Sequence, residues 1–205
     1  MLAIIDYGAG NIRSVINAFR FIGSDIAVTC DPAEMRRADG LILPGVGACG
    51  YAMRQLAPIA DAICDQARSG KPLLGICLGF QLLFDESHEK GVTQCLGLVA
   101  GSVIPIPPGR TIPHMGWNYV QTPPKMRLMN GLAPGRHFAF VHSYYADVAD
   151  PAALVAPVEY EGLSMAAAIE KGNVFGCQFH PEKSGDDGLR MLRNFVTICN
   201  EECPC

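Results

Sequence analysis

Residues 2–5, Leu-Ala-Ile-Ile, form an unbroken apolar run that stops at Asp6 and predict a buried first strand. Ile12, Val15, Ile16 and Phe19 then recur at helical spacing, which predicts a helix over residues 11–22 closed by Gly23. A second strand follows at 25–30. Asp31-Pro32 supplies a side-chain cap and then a residue whose missing N–H costs nothing in a first helical turn, so a short helix is expected to residue 38. Residues 40–43 read as a third strand, and a helix follows the glycines at 45, 47 and 50. Lys71-Pro72 leads into a fully apolar fourth strand, 73–76, with a helix over 78–85. Strands apolar on both faces that alternate with helices imply a mainly parallel sheet covered on both sides.

Beyond residue 90, short apolar pieces alternate with turn residues. Segments 98–104, 117–120, 138–141, 165–169 and 174–179 predict strands of a mixed sheet. Residues 186–200 close the chain as an amphipathic helix with Leu189, Leu192, Val196 and Cys199 inward, followed by a frayed tail at 201–205. No repeat, low-complexity tract or charge block marks a linker. The expected organisation is one α/β domain over 1–200, a central mixed, mostly parallel sheet flanked by helices, with 201–205 as a short tail.

Composition narrows the function classes. The 205 residues include 16 Lys+Arg and 20 Asp+Glu, a formal charge of -4. With 18% charged and 49% hydrophobic residues, the chain can build a core and is not a solvated tail or linker. Without a Lys/Arg cluster there is no electrostatic footprint for nucleic acid or an anionic membrane, so neither partner is expected. The longest stretch free of Asp, Glu, Lys and Arg, 91–109, holds Thr93, Gln94, Ser102 and three prolines, unlike a membrane span. The start lacks a basic region and reaches Asp6 at once, unlike a secretory leader. Nine cysteines, at 30, 49, 64, 77, 95, 177, 199, 203 and 205, are an odd number in a chain that does not need staples. A reducing, cytoplasmic location is expected, with the thiols other than Cys77 as small buried hydrophobes or tail positions.

The sharpest local pattern is Gly75-Ile76-Cys77-Leu78-Gly79, after an apolar strand and before a helix. It matches the G-x-S-x-G nucleophile elbow with sulfur in place of oxygen. On so tight a turn, side chains two residues either side of the nucleophile would collide, and the helix N-terminus beyond lowers a thiol pKa while turning the Leu78 N–H toward a developing oxyanion. The plainer reading makes Cys77 a core residue at a strand end. A nucleophilic thiol needs a base, and among His88, His114, His137, His142 and His180 only His180 has a carboxylate suitably placed. Pro181 keeps His180 extended, so Glu182, two residues on, projects to the same side and can hold the imidazole in one tautomer. Cys77, His180 and Glu182 would then form a triad. Without the elbow, His-Pro-Glu would be a surface turn.

Two other motifs compete. Gly45-Val-Gly-Ala-Cys-Gly50 satisfies G-x-G-x-x-G, but it follows the third strand, Pro44 precedes it, and Asp61 and Asp65 fall inside a predicted helix. Its alternative use is a glycine strand that supplies a second oxyanion donor. His180-Pro-Glu182 also fits the H-x-E of zinc deaminases, yet the tail offers only Cys203-Pro-Cys205 instead of P-C-x-x-C, so no metal is expected.

Gly-Ile-Cys77-Leu-Gly-Phe-Gln81 together with Gln-Phe-His180-Pro-Glu182 resembles class I (triad) glutamine amidotransferases. Asp6-Tyr-Gly-Ala-Gly-Asn11, Pro44-Gly-Val-Gly47, Pro113-His-Met-Gly-Trp-Asn118, Val141-His-Ser-Tyr-Tyr145 and His180-Pro-Glu-Lys-Ser184 narrow it to the glutaminase subunits of imidazole glycerol phosphate synthase, over nearly the whole chain. The resemblance implies that Cys77 attacks the side-chain amide of L-glutamine, that His180 protonates the departing ammonia and then activates water, and that Glu182 orients His180. It places the oxyanion hole at the Leu78 N–H and the Val46-Gly47 segment, and glutamine binding at Gln81 and the Ser143-Tyr144 backbone. It also implies a cyclase partner with a (β/α)₈ barrel that receives the ammonia, with Trp117 and Lys183 at the interface, and no cofactor. Without it, Gln81 reads as a polar helix residue, Ser143 as a turn residue, Trp117 as core and Lys183 as a solvated charge. Phe80 and Cys49 depart from the family's usual Met and aromatic, and Cys49 is expected to alter packing beside the oxyanion strand. A stand-alone thiol hydrolase of γ-glutamyl substrates and a non-enzymatic nucleotide-binding or scaffold module remain the alternatives.

Overall fold

The computed structural model of the chain describes residues 1–8 and 12–202. The first half builds β1 (Leu2–Ile5), α1 (Ile12–Phe21), β2 (Ile26–Thr29), α2 (Pro32–Arg37), β3 (Gly40–Gly45), α3 (Cys49–Leu56), α4 (Ala60–Arg68), β4 (Leu73–Cys77) and α5 (Leu78–Gln81). The second half adds the short strands β5 (Glu86–Ser87) and β6 (Thr93–Gln94), then β7 (Gly101–Pro105), β8 (His114–Val120), β9 (Arg136–His142), β10 (Tyr144–Val148), β11 (Leu154–Tyr160), β12 (Leu163–Lys171), β13 (Val174–Cys177) and α6 (Gly185–Glu202). Nine strands form one sheet in the order β2-β1-β3-β4-β13-β12-β11-β8-β9. It is parallel from β2 to β13 and antiparallel from β13 to β9. A second sheet, in the order β10-β7-β5-β6, brings β10 against β12 of the first. No helix among the described residues is long and apolar enough to cross a membrane.

The mixed α/β sheet agrees with the sequence reading, and β1, β3, β4 and β13 are buried along their whole length, as apolar runs between two helical layers require. The Asp31 cap is present, its carboxylate accepting from the Ala33 N–H at 2.8 Å. Asn11, the expected first residue of α1, and the tail cysteines Cys203 and Cys205 lie outside the described residues.

Several boundaries are corrected, each for a local reason. The helix expected after Gly50 is two helices, because Pro58 can neither donate to an α-helical ladder nor fit over the preceding turn. The helix expected over 78–85 stops at Gln81. The carbonyls of Leu82, Leu83 and Phe84 instead accept the N–H groups of Leu96, Leu98, Val99 and Gly97, which also keeps Leu98 and Val99 out of the strand expected at 98–104. Strands β10 and β11 were not expected. Pro157 argues against a strand, and it is tolerated because the β11–β12 register shifts between Ala156 and Pro157. The last helix reaches Glu202, past the expected boundary at residue 200.

The candidate active site

Strand β4 delivers Cys77 to the carboxyl end of the parallel sheet, with φ 55° and ψ -109°, a backbone that a side-chain-bearing residue adopts only when its surroundings hold it there. The surroundings do so through two glycines. A Cβ at Gly75 would lie 2.6 Å from the Gly79 carbonyl oxygen, and one at Gly79 would lie 1.8 Å from the Leu43 carbonyl oxygen. The first contact is the collision across the turn that the sequence suggested; the second is with the neighbouring strand. Register pairs Gly45 with Cys77, so Val46 and Gly47 leave β3 beside the thiol. Tyr7 fastens this strand by donating its hydroxyl to the Pro44 carbonyl at 2.9 Å. Burial, with Cys49 and Cys77 nearby, pushes the Tyr7 phenol up, so it remains a donor. The Leu78 N–H, first in α5, has no acceptor within its own helix.

Strand β13 lies parallel to β4 with Cys177 opposite Ile76, so the residues just after the two strands meet at the same sheet end. His180 is locked there: its N–H donates to Ala139 O at 2.9 Å, and its carbonyl accepts the Ser184 hydroxyl at 2.6 Å. Its Nδ1 lies 2.8 Å from Glu182 Oε1, with both side chains almost completely buried. A carboxylate only accepts, so Nδ1 carries a proton and Nε2 is left for other chemistry. Nε2 is buried and makes no hydrogen bond, and neither does Glu182 Oε2. Burial pushes the imidazole pKa down, but Cys77 and the Glu182 carboxylate beside it outweigh burial and raise it to about 9. Cys77 is therefore close to the ring without an aligned bond to Nε2. Because the folded pKa exceeds the ordinary value of 6.5, the stability His180 contributes is present below 6.5 and is lost as pH rises through about 9. His88 also pairs with a carboxylate, Glu86, at 2.9 Å, which corrects the expectation that His180 alone does so; that pair is largely solvent-exposed.

Cys77, Leu78, Val46, Gly47, Gln81, Ser143, Tyr144 and His180 line one cavity of about 310 Å³, and Glu182 supports His180 from behind. Gln81 Nε2 donates to Tyr144 O at 3.0 Å and to Gln178 Oε1 at 2.8 Å, which leaves its own Oε1 as an acceptor. Gln178 in turn donates Nε2 toward Cys77 Sγ at 3.9 Å. Sequence reasoning quoted Gln178 and Tyr7 inside motifs but assigned them nothing; only their neighbours across the sheet give them a place. His142 and His114 were missed too. His142 Nδ1 donates to Tyr144 O at 2.9 Å, and its Nε2 is 2.8 Å from His114 Nδ1. Burial pushes both rings down to about 4, so they stay neutral and their tautomers are set by these bonds. Trp117 and Lys183 lie away from the cavity. Trp117 is 59% exposed, so it is not core, and Lys183 is on the surface. Of the thiols expected in the core, Cys49, Cys64, Cys177 and Cys199 are buried, Cys95 is half-buried and Cys30 is exposed. Among the described residues, no group of three or more His, Cys, Asp and Glu is placed to hold a metal ion.

The fold resembles that of a solved glutamine amidotransferase, with a TM-score of 0.77 and 18% identity over 96% of this chain and 98% of the other. It also resembles the PurLQS structure from Thermotoga maritima, with a TM-score of 0.76 and 23% identity over 96% and 97%. In sequence, the chain is 51% identical to the imidazole glycerol phosphate synthase subunit HisH of Methanothermobacter thermautotrophicus, covering 97% of this chain and 98% of the relative. It is 48% identical to the subunit of the same name from Bacillus cereus, covering 97% and 95%. The family model for glutamine amidotransferase class-I matches residues 3–199, and with relatives this similar over nearly their full length, the chain belongs to the class I glutamine amidotransferases.

Proposed function

We propose that this chain is the glutaminase subunit of an imidazole glycerol phosphate synthase, hydrolysing L-glutamine through Cys77, His180 and Glu182 and passing ammonia to a cyclase subunit in histidine biosynthesis. The observation that carries the reading is the thiol on its strained elbow beside a carboxylate-held imidazole, in a chain about half identical to subunits of that name. The Cys77 sulfur, as thiolate, attacks the amide carbon of glutamine, and the oxygen of the tetrahedral intermediate takes hydrogen bonds from the Leu78 N–H and the Val46-Gly47 segment. As the C–N bond breaks, His180 gives the leaving nitrogen its Nε2 proton, and ammonia departs from a glutamyl thioester. The neutral imidazole then takes a proton from water, whose oxygen attacks the thioester, and the Cys77 sulfur leaves with glutamate formed. Gln81 Oε1, left free by the two donations of its amide, suits the glutamine ammonium, while the Ser143-Tyr144 backbone holds the rest of its main chain.

Glu182, after Cys77, raises the proton affinity that the first step uses. Glutamine hydrolysis is expected to fall as pH rises through about 9, where His180 loses the proton the leaving group needs. Glu182→Gln keeps an acceptor for Nδ1 but removes the charge, so this limb should move to lower pH, with kcat lower by about 10²-fold or more. A pH–rate profile of ammonia release in which the limb did not move would remove Glu182 from this role.

Free ammonia in neutral water is mostly protonated and no longer nucleophilic, which is the physical reason for direct transfer. The antiparallel pair β8–β9 presents Met115, Trp117, Tyr119 and Val141, all exposed, and Val141 also lines the cavity. With the charge of Lys183 nearby in sequence to His180, this apolar face suits a cyclase subunit with a (β/α)₈ barrel, and the heterodimer is assigned to the cytoplasm. The test is ammonia release from glutamine alone and with the cyclase and its ribonucleotide ligand. Stimulation of about 5- to 150-fold, the range of ordinary coupling between sites, is expected. Unchanged turnover would rule out the synthase assignment and leave a stand-alone glutaminase.

A further inference from the structure

Cys49 and Cys95 have no part in the chemistry above and are 46 residues apart, yet their sulfurs lie 3.4 Å apart. A disulfide bond is about 2.05 Å long, so closure asks each sulfur to move by about 0.7 Å. Their positions give such a bond a consequence. Cys49 opens α3 two residues after Gly47, which has φ +103°, and its N–H donates to Glu89 Oε2 at 2.7 Å. Glu89 in turn lines the catalytic cavity. Cys95, just after β6, is partly exposed and held from the other side, its N–H donating to Asp85 O at 2.8 Å and its sulfur lying 3.6 Å from Thr93 O.

We propose that Cys49 and Cys95 are a thiol–disulfide site that, when closed, straps the exit of the oxyanion segment and slows glutamine hydrolysis; the effect on turnover rests on the glutaminase reading, the bond itself does not. The hydrogen bond from Cys95, supported by the Ser87 hydroxyl, lowers the Cys49 pKa against the opposing effects of burial and Glu89, while the same bond and burial raise Cys95. The first proton therefore leaves the pair readily and the second is held, the pattern of a dithiol with one attacking sulfur. The oxidant is a small aliphatic disulfide such as oxidised glutathione. Cys95 is the partly exposed sulfur of the pair, so once the remaining proton has passed across the 3.4 Å contact to Cys49, the Cys95 thiolate attacks one sulfur of the small disulfide, breaking that S–S bond and releasing one thiolate, which takes up the proton of Cys49. The Cys49 sulfur attacks the mixed disulfide, the Cys49–Cys95 bond forms, and the second small thiol leaves. Two cysteine thiols are oxidised and one small disulfide is reduced to two thiols. The strap acts because Val46 and Gly47 must place an N–H on the oxyanion, and a covalent anchor two residues further on limits how that segment can settle to do so.

The test treats the full chain, together with the cyclase, with oxidised glutathione and divides the sample: ammonia release is followed in one portion, and in the other the free thiols are blocked and the peptides mapped by mass. A Cys49–Cys95 linked peptide is expected, with ammonia release lower by about fivefold or more and restored by dithiothreitol. Cys95→Ser should keep the reduced enzyme's activity and largely retain it under oxidation. Cys77→Ala should form the same link, which separates it from capture of glutathione by the reactive thiol. Absence of the linked peptide, a link with unchanged turnover, or equal loss of activity in Cys95→Ser would overturn the proposal. A reduced chain that released no ammonia would instead overturn the glutaminase reading, and the peptide map would still decide whether the bond forms.

Discussion

Cys77→Ser is expected to lower glutamine hydrolysis by at least about 10³-fold, the scale of losing a nucleophile while binding and oxyanion contacts remain. The substitution is nearly isosteric, and the elbow geometry is held by Gly75, Gly79 and the paired strands β3 and β4, not by the sulfur. What changes is the nucleophile: a serine hydroxyl holds its proton far more tightly than a thiol, and the raised proton affinity of His180, owed in part to Cys77 itself, falls when the sulfur is removed, so the imidazole cannot draw that proton off. Binding of the cyclase should survive, so turnover of the heterodimer with an ammonium salt in place of glutamine should stay near the original rate. Loss of both activities would point to misfolding, and retention of glutamine hydrolysis would remove Cys77 from the proposed mechanism.

Gly79→Ala carries the second large effect, on the fold itself. Its Cβ would sit 1.8 Å from Leu43 O and 2.7 Å from Leu43 C, atoms of the β3 backbone, which cannot swing aside as a side-chain tip can. Relief requires β3 and α5 to separate, so we expect a loss of about 3 kcal/mol or more. For a chain of this size that corresponds to a melting temperature lower by roughly 6–12 °C. Glutamine hydrolysis should fall as well, because β3 leads into Val46 and Gly47. Gly50→Ala is the control. In α3 its Cβ would meet only the Thr93 hydroxyl at 3.3 Å and the end of Arg54 at 3.7 Å, both mobile, so stability should stay within about 1 kcal/mol of the original. Equal melting temperatures for the two variants would refute the steric reading of the elbow.

The need for Gly75 was legible as a pattern because sterics at a tight strand-to-helix turn act over four residues, whereas the need for Gly79 comes from the Leu43 carbonyl of the neighbouring strand. The Asp31 cap, the apolar strands β1, β3 and β4, and the short separation of His180 from Glu182 were legible for the same reason: each is decided by neighbours in sequence. The end of α5 was not, because the carbonyls of Leu82, Leu83 and Phe84 are claimed by N–H groups from residues 96–99, a competition no local propensity registers. Strand β11 was hidden by Pro157, whose cost disappears only where the pairing register slips against β12.

By itself, then, the sequence determined the strand–helix alternation, the elbow at Cys77 and the His180–Glu182 partnership, since each depends on backbone and side-chain chemistry within a few residues. Only the tertiary structure decided that β4 and β13 run side by side and so bring Cys77 and His180 into one cavity. It also decided that Tyr7 holds Pro44, that Gln178 links Gln81 to the thiol, and that Cys49 faces Cys95. Those contacts join residues 37 to 101 positions apart, and they are set by strand order and register, which apolar runs demand but do not uniquely specify.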